Sequence, residues 1–409
     1  MMDRSLVEFY DSLRNADPMA LSESVLMKNY GKPSLCFVRG SGVWLYDSDG
    51  HAYLDFLSGI AVASLGHSHP KVAAAVAAQA EKLVHVSNLY GNEVGPKVAA
   101  MLNRLILQGT DSPDGRIFFA NSGAEVNEAA IKLARKFGHA SGRYEIITAL
   151  HSFHGRTMGA LSATGQRAKQ APFEPLLPGF THVEWDDVAA IEASITDRTV
   201  AVMLEPIQGE GGVVDPGPGY LPSVRELCDR RGLLLIIDEV QTGLGRTGAW
   251  FCFQHHRILP DIVTMAKALG SGMPIGACWA KEQVAAAFSA GDHGTTFGGQ
   301  PLAASAALAT IRELIEIDAP ARAAELGRLI DKNLKGREGI RCVSGSGLLR
   351  GVYLEQPIAK RVAELCQSKK LIVNPIGENT IRLAPPLVVS SSEVDRACEL
   401  LAESIREAS

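Results

Sequence analysis

The sequence predicts an α/β fold: a large domain with a mostly parallel central sheet covered by helices, plus a smaller α+β domain built from the N- and C-terminal segments. From about residue 115 to 280, apolar runs alternate with helical patterns. The runs are continuously apolar, which is typical of parallel strands covered on both faces. The predicted central strands are IFFA at 117–120, YEIITAL, TVAVMLE, LLLIID and DIVTMA.

The remaining elements follow in chain order. VWLYDSDGHAYLDF alternates around Asp47–Gly50 and predicts a hairpin. AEVNEAAIKLARKFG predicts the first central helix, ended by Gly138. Residues 308–336 and 392–407 predict helices flanking short strands at GLLRGVYLE and TIRLAPP. We therefore expect the N-terminal part of the small domain at 1–60, the large domain at 61–310 and the C-terminal part of the small domain at 311–409.

Composition excludes several classes of protein. The 409 residues carry 40 Lys plus Arg against 45 Asp plus Glu, so no basic surface for nucleic acid is expected. No apolar run reaches membrane-spanning length, and charges interrupt the N-terminal 20 residues, so neither a membrane segment nor a signal-peptide core is expected. Seven cysteines without a CxxC pair predict reduced, buried thiols, no metal site and a cytoplasmic location.

Two charged residues follow neighbouring central strands. Asp238 ends LLLIID, and Lys267 follows DIVTMA. The carboxyl ends of such strands collect ligands, so we expect the acid and the amine to share a site. One interpretation is a lysine that forms a Schiff base with pyridoxal phosphate, while Asp238 keeps the pyridine nitrogen protonated. The alternatives are that Asp238 caps the next element, and that Lys267 is solvated or pairs with Asp238.

A phosphate site is predicted at FFANSGAEVNEAAIKLA. Asn121, Ser122 and Gly123 join a strand to a helix whose first N–H groups and dipole suit a dianion. An ordinary helix start, with Ser122 and Glu125 forming a capping box, explains the same residues equally well.

GLGRTG, at 243–248, matches the GxGxxG pattern of dinucleotide-binding proteins. The residues after it form a poor helix, and Lys267 stands about where a ribose-binding acid is required. We therefore interpret the glycines as a turn-rich loop, and do not expect a nicotinamide enzyme.

Nearly the whole chain resembles the fold-type I, class III pyridoxal-phosphate aminotransferases, in particular their acetylornithine and ornithine branch. The motifs stand in the family's order: YLDFLSGIAVASLGHSHP, FFANSGAEVNEAAIKLAR, HSFHGRT, EPIQGEGG, IIDEVQTGLGRTG, TMAKALGSGMPIGA, HGTTFGGQP and IRLAPPL.

The resemblance implies a role for each matching residue. In the implied cofactor site, Lys267 is the Schiff-base amine and the acid/base, Asp238 binds the ring nitrogen and Gln241 lies near the ring hydroxyl. Phe153 stacks on the ring. The phosphate is bound by Ser122, Gly123 and Ala124, and by Thr296 of a partner subunit. The implied substrate site consists of Arg156 on the α-carboxylate, Thr295, Tyr30 and a gating pair of Glu210 with Arg382. An active site shared in this way requires a homodimer.

Without the resemblance, we would interpret Phe153 as a residue of the hydrophobic core, Arg156 as part of a surface ion pair and Glu210 as a solvated charge in a loop. The histidine pairs His67 with His69, and His151 with His154, are expected in turn and packing roles rather than as metal ligands.

The sequence departs from the family pattern at three positions. The family's GGNP reads GGQP with Gln300, and the Asn usual in AVNSLGH is Ala63. Ile60 stands where ornithine-specific members carry tyrosine, which argues against free ornithine as the preferred donor.

The resemblance implies transfer of a terminal amine from N2-acetylornithine to 2-oxoglutarate. The products are N-acetylglutamate 5-semialdehyde and glutamate, as in arginine biosynthesis. The alternatives are an ω-aminotransferase for 4-aminobutyrate, succinyl-diaminopimelate or ornithine, an aminomutase, and a catalytically silent protein that binds the cofactor.

Overall fold

The computed structural model describes residues 4–111 and 114–409. The strands are β1 (Phe37–Ser41), β2 (Trp44–Asp47), β3 (Ala52–Asp55), β4 (Gly115–Ala120), β5 (Glu145–Ala149), β6 (Phe180–Val183), β7 (Thr199–Leu204), β8 (Leu234–Asp238), β9 (Ile262–Met265), β10 (Gly276–Lys281), β11 (Ile340–Ser346), β12 (Leu349–Leu354), β13 (Leu371–Ile372), β14 (Asn374–Ile376) and β15 (Thr380–Leu383). The helices are α1 (Arg4–Ser12), α2 (Pro18–Val25), α3 (Ser58–Ala61), α4 (Pro70–Lys82), α5 (Gly95–Ile106), α6 (Gly123–Gly138), α7 (Met158–Ala163), α8 (Arg167–Gln170), α9 (Val188–Ala193), α10 (Tyr220–Arg231), α11 (Glu282–Ala285), α12 (Pro301–Glu316), α13 (Ala319–Leu334), α14 (Ala359–Ser368) and α15 (Ser391–Ala408).

The largest sheet in the described residues has seven strands in the order β4-β10-β9-β8-β7-β5-β6. β10 runs opposite to the other six strands, which are all parallel to one another. Every residue of β7, β8 and β9 is buried, as continuous apolar runs require when helices cover both faces. The predicted mostly parallel central sheet is therefore confirmed, with strand ends shifted by one or two residues.

The chain's two ends share a smaller sheet. β2 and β3 form the predicted hairpin, with Trp44 opposite Leu54, and β13 then adds to β3 in parallel. A third sheet, β11-β12-β15-β14, is covered by the C-terminal helices. N- and C-terminal segments thus combine outside the central sheet, as predicted.

The first central helix ends at Gly138, as predicted. Gly138 does not have the left-handed conformation typical of a terminating glycine, because its φ is −79°; a short 3₁₀ turn follows it, and the left-handed residue is Gly142, with φ 71°. Gly138 has a packing role, because a Cβ there would lie 2.3 Å from the backbone oxygen of Arg143. Close packing therefore accounts for the glycine at the end of this helix, and the left-handed conformation is adopted four residues later.

The helical pattern predicted at 308–336 corresponds to two helices. α12 and α13 are separated at Ile317 and Asp318, where Asp318 has φ 48°. Because α12 packs on α4 and on the turn after β9, the predicted boundary at 310 and 311 falls within a helix of the large unit. We propose that the chain leaves that unit at Ile317–Asp318.

The cysteines are all free, but two of the seven are not buried as expected: Cys36 is half-buried and Cys342 is exposed. Among the described residues, no helix is both long and apolar enough to cross a membrane.

Candidate active site

The ends of β8 and β9 bring the predicted acid and amine to one cavity. The two strands are adjacent and parallel, with Asp238 opposite Thr264, so Lys267 follows at the same edge of the sheet. The cavity there has a volume of about 430 Å³. The predicted residues that line it are Ser122, Gly123, Ala124, Phe153, Arg156, Asp238, Gln241 and Lys267.

Asp238 is held by a set of buried donors. Asn127 Nδ2 donates to its Oδ2 at 2.7 Å, His154 Nδ1 lies 2.9 Å from the same oxygen, and the Val240 N–H donates to Oδ1 at 3.0 Å. These contacts fix the carboxylate at the cavity wall. Sequence reasoning missed Asn127, although an amide on the buried face of α6 was a signal, and it gave His154 only a packing role.

Lys267 is positioned by an uncommon backbone conformation. It begins a short 3₁₀ turn with φ 28°, a region that favours glycine, so its surroundings must hold it there. Desolvation lowers the pKa of its amine to about 8, and the charge of Arg382 acts in the same direction. No described residue accepts a hydrogen bond from its Nζ. The amine is thus available to a group in the cavity, and largely neutral at mildly alkaline pH.

The start of α6 has the free first-turn N–H groups that the predicted anion site requires, but it lacks the alternative capping box. Ser122 Oγ accepts from the Glu125 N–H at 3.3 Å, whereas the Glu125 carboxylate accepts from the Asn121 N–H at 2.6 Å. The N–H groups of Gly123 and Ala124 are first-turn donors without an intrahelical acceptor. A Cβ on Gly123 would lie 2.7 Å from Val240 Cγ1, so only glycine lets this turn approach the β8 end.

Phe153 and Arg156 form one wall of the cavity. The Arg156 guanidinium carbon lies 5.6 Å from the Phe153 ring centroid. Arg156 is exposed and makes no ion pair with any described carboxylate. Its charge is therefore available to an anion from outside the chain, and the alternative interpretation of Arg156 as a surface ion pair finds no partner among the described residues.

Glu205, which sequence reasoning also missed, connects two loops of the site. Its Oε2 accepts from the Phe153 N–H at 2.9 Å, and its Oε1 accepts from the Gly209 N–H at 3.3 Å. Desolvation raises the pKa of this buried carboxyl to about 7, against the opposing charge of His154. The carboxyl that ends TVAVMLE was the available signal, because it follows a central strand as Asp238 does.

Glu210 and Arg382 form the predicted pair next to the cavity. Arg382 Nη1 lies 2.8 Å from Glu210 Oε1, and Nη1 also donates to Gln241 Oε1 at 3.2 Å. Burial alone would raise the pKa of Glu210, but the charge and hydrogen bond of Arg382 outweigh it and the net shift is downwards. Arg382 is only 2% exposed, so Glu210 has the freer end of the pair.

Besides Glu210 and Arg382, three other predicted residues do not line the cavity. Thr295 and Thr296 line a neighbouring depression of about 370 Å³ with Phe297, and Asn121 Nδ2 lies 3.4 Å from Thr295 Oγ1. Thr296 is exposed. Tyr30 is 86% exposed and lines a separate depression formed by residues 19–33. The described chain therefore does not by itself bring Tyr30 or Thr296 to Lys267.

The departures from the family pattern do not remove cavity contacts. Gln300 Oε1 accepts from the Val86 N–H at 3.0 Å and its Nε2 donates to Asn88 Oδ1 at 3.0 Å, so it holds a neighbouring loop. Ala63 is buried, and Ile60 is 38% exposed and does not line the cavity.

The remaining motifs have structural roles. GLGRTG forms consecutive turns rather than a helix start, with Gly245 at φ 90° and Gly248 at φ 98°. This confirms the predicted turn-rich loop. His67 bonds to Asp55 Oδ2 at 2.8 Å, and His69 lies 3.9 Å from Glu313.

The cavity fits a planar cofactor that carries an aldehyde and a phosphate. One space is surrounded by the groups that such a cofactor needs. They are an amine whose Nζ has no hydrogen-bond acceptor, a buried carboxylate, an aromatic face and helix N–H groups without an intrahelical acceptor. The glycine at the start of α6 leaves room where any side chain would intrude. The donor set thus matches each part of pyridoxal phosphate.

Comparisons with known proteins agree with this geometry. The family model of the class-III aminotransferases matches residues 25–405. An acetylornithine aminotransferase of Mycolicibacterium smegmatis is 47% identical over 91% of this chain and 94% of its own, and one of Methanothermobacter thermautotrophicus is 44% identical over 95% and 98%. The ornithine aminotransferase of Toxoplasma gondii, solved with partial occupancy of its PLP, superposes with a TM-score of 0.90 at 32% identity, covering 98% of each chain.

Proposed function

The chain belongs to the class-III aminotransferase family, and on that premise we propose that it transfers the terminal amine of N2-acetylornithine to 2-oxoglutarate. The products are N-acetylglutamate 5-semialdehyde and glutamate, a step of arginine biosynthesis. Relatives named acetylornithine aminotransferase, at 44% to 48% identity over nearly the whole chain, support this donor. The observation that carries the proposal is the shared cavity of Lys267, Asp238 and Arg156.

The cofactor is pyridoxal phosphate, held by residues of three neighbouring elements. Ser122, Gly123 and Ala124 bind the phosphate at the start of α6, Phe153 covers one face of the ring, and Asp238 binds its nitrogen. Gln241 lies near the ring hydroxyl. When bound, the cofactor supplies an aldehyde for the amine and a protonated ring that accepts electrons from the substrate carbon.

Lys267 moves the proton in the reaction. Its Nζ removes a proton from the substrate carbon that carries the amine and returns a proton in the second half of the cycle. A lowered pKa suits this task, because a base works best when its pKa lies near the working pH. Asn127 and His154 keep Asp238 oriented, so that its charge stays at the ring nitrogen.

Arg156 binds the α-carboxylate of the amino donor by two parallel hydrogen bonds, a geometry that a guanidinium favours. Glu210 covers Arg382 while acetylornithine occupies the cavity, with Thr295 near the substrate. Glutamate and 2-oxoglutarate carry a second carboxylate, which takes the place of Glu210 on Arg382. Because Glu210 is more exposed than Arg382, it is the partner that moves.

The active unit is a homodimer. Phe297, next to Thr296, is 64% exposed, and Leu89 and Tyr90, which follow the Asn88 side chain that donates to the Thr295 carbonyl, are 86% and 70% exposed. A second copy therefore has apolar side chains to cover. In that assembly, Thr296 of each chain reaches the phosphate in the other, and Tyr30 approaches the substrate. The seven free cysteines support a cytoplasmic location, where thiols stay reduced.

A panel of amines tests the function. Purified protein with pyridoxal phosphate is assayed with 2-oxoglutarate and acetylornithine, ornithine, 4-aminobutyrate or succinyl-diaminopimelate, and glutamate is measured. We expect the highest kcat/KM with acetylornithine. A higher value with another amine would assign the chain to a different ω-aminotransferase activity, and no glutamate with any amine would refute transamination.

A further inference from the structure

A second cation lies next to the Phe153 wall of the cavity. Lys169, on the short helix α8, places its Nζ 5.3 Å from the Phe153 ring centroid, and Arg156 lies 5.6 Å from the same centroid. Lys169 is half-buried and is absent from the family motifs described above. One aromatic ring of the cavity wall thus carries two positive neighbours.

Neither cation has an ion-pair partner in the described chain. The other charges of the site are satisfied: Glu210 pairs with Arg382, and Asp238 accepts from Asn127 and His154. Lys169 Nζ donates only to the neutral Gln166 Oε1. Desolvation lowers the pKa of Lys169, and the charge of Arg156 acts in the same direction while Glu210 opposes it. Two cations next to the same aromatic ring are stabilised when an anion binds near both of them.

We propose that Lys169 is a specificity-determining residue that acts with Arg156 across the Phe153 ring to attract the carboxylate of the substrate. The site then selects amino donors and acceptors that carry a carboxylate at the end remote from the reacting group. Lys169 contributes as a point charge on a flexible stem, whereas Arg156 supplies the directed hydrogen bonds. The inference rests on the proposed function, in which Arg156 marks the carboxylate end of the cavity.

The first test separates this charge from a merely structural role. Lys169→Met and Lys169→Arg are assayed with 5-aminopentanoate and with pentylamine, which differ in the terminal carboxylate. We expect Lys169→Met to lower kcat/KM for 5-aminopentanoate about tenfold through KM, with pentylamine within about twofold of the parent, and Lys169→Arg to retain most of the activity. Equal losses with both amines, or no loss with 5-aminopentanoate, would overturn the proposal.

The matched control is Arg167→Met on the same helix. Arg167 is exposed and paired with Glu174, and it is not one of the two cations over the Phe153 ring. This variant should leave kcat/KM for both amines unchanged. If it reproduces the Lys169→Met profile, the effect comes from α8 and the proposal fails.

A binding measurement separates this inference from the proposed function. Glutarate, a dianion without an amine, is titrated into the holoprotein by calorimetry. We expect its Kd to rise about tenfold in Lys169→Met and to stay unchanged in Arg167→Met. If the protein transaminates but Lys169→Met and Arg167→Met bind glutarate equally well, only the role of Lys169 is refuted. A Lys169-dependent Kd in a protein that transaminates no amine would refute the proposed function and leave the carboxylate site standing.

Discussion

At the scale of single residues, the site depends on how burial changes ordinary side-chain chemistry. Lys267 and Glu205 carry pKa values displaced toward neutrality, to about 8 and about 7, because both are largely removed from water. Asp238 is stabilised instead by donors on α6 and in the FHGR loop. One small space thus contains a carboxylate fixed by hydrogen bonds and an amine whose pKa is lowered to about 8.

Replacing Lys267 with alanine removes both the amine that binds the cofactor and the base. We expect kcat to fall about 10⁴-fold or more, and the visible absorbance of the loaded protein to disappear. Lys332→Ala, at an exposed position of α13, is the matched control and should change neither quantity. Substantial turnover in Lys267→Ala would contradict the assignment.

The depressed pKa of Lys267 also predicts a pH dependence of cofactor loading. Only the neutral amine attacks the aldehyde, so the loading rate of the apoprotein should rise about tenfold per pH unit below pH 8 and level off above it. Stopped-flow absorbance measures this rate. A profile still rising between pH 9 and 10 would mean that the amine keeps an ordinary lysine pKa.

The same shift affects the stability of the apoprotein. Between pH 8 and the ordinary lysine value of 10.5, the folded chain binds fewer protons than the unfolded chain. The contribution of Lys267 to the free energy of unfolding therefore increases as pH rises through this interval, and is least favourable below pH 8.

At the scale of elements, α6 joins the sheet to the cofactor site. Its first turn presents Ser122 and Gly123, its buried face presents Asn127, and its last residue, Gly138, packs against the chain that leads into β5. A single helix therefore fixes the phosphate end and the ring-nitrogen end of the cavity relative to β8.

Gly138→Ala tests the packing role of that last residue. Alanine favours a helix by up to about 1 kcal/mol, but its Cβ would meet the Arg143 oxygen at 2.3 Å. We expect a net loss of about 1 to 3 kcal/mol in the free energy of unfolding, measured by urea denaturation.

Gly142→Ala is the control for Gly138→Ala. Gly142 has φ 71° and open space around its Cα, so alanine there costs only about 1 kcal/mol of backbone strain. If Gly138→Ala is no more destabilising than Gly142→Ala, the packing argument is wrong.

At the scale of the whole molecule, the proposed homodimer completes the site. Lys267→Ala and Thr296→Asp should each be nearly inactive, the second because an added carboxylate repels the phosphate. Mixed and allowed to exchange subunits, the two variants should recover about a quarter of parental activity, since half of the dimers then contain one site with both native residues. Sedimentation velocity checks the assembly, and no recovery in an exchanged mixture would exclude a shared site.

The amino-acid sequence was sufficient to predict the central sheet and the residues at its carboxyl edge. Continuous apolar runs indicate buried parallel strands in any context, and parallel strands place their carboxyl ends together. Asp238 and Lys267 could therefore be assigned to one site from their positions in the chain. The glycine-rich loop was also identified correctly, because the segment after it does not form the α-helix that a dinucleotide site requires.

The contacts that hold the site's side chains in place depend on packing between segments that are distant in the chain. Asn127, His154 and Glu205 come from separate segments and meet only when α6, β7 and β8 pack, so no local pattern reveals their partners. The sequence located the end of α6 at Gly138 but not the reason for a glycine there, because the packing partner Arg143 folds back beyond the helix. The contact of Lys169 with the Phe153 ring likewise joins two separate segments, so no local pattern predicts it. A local pattern reports the period and burial of a segment, whereas distances between segments depend on packing over the whole chain.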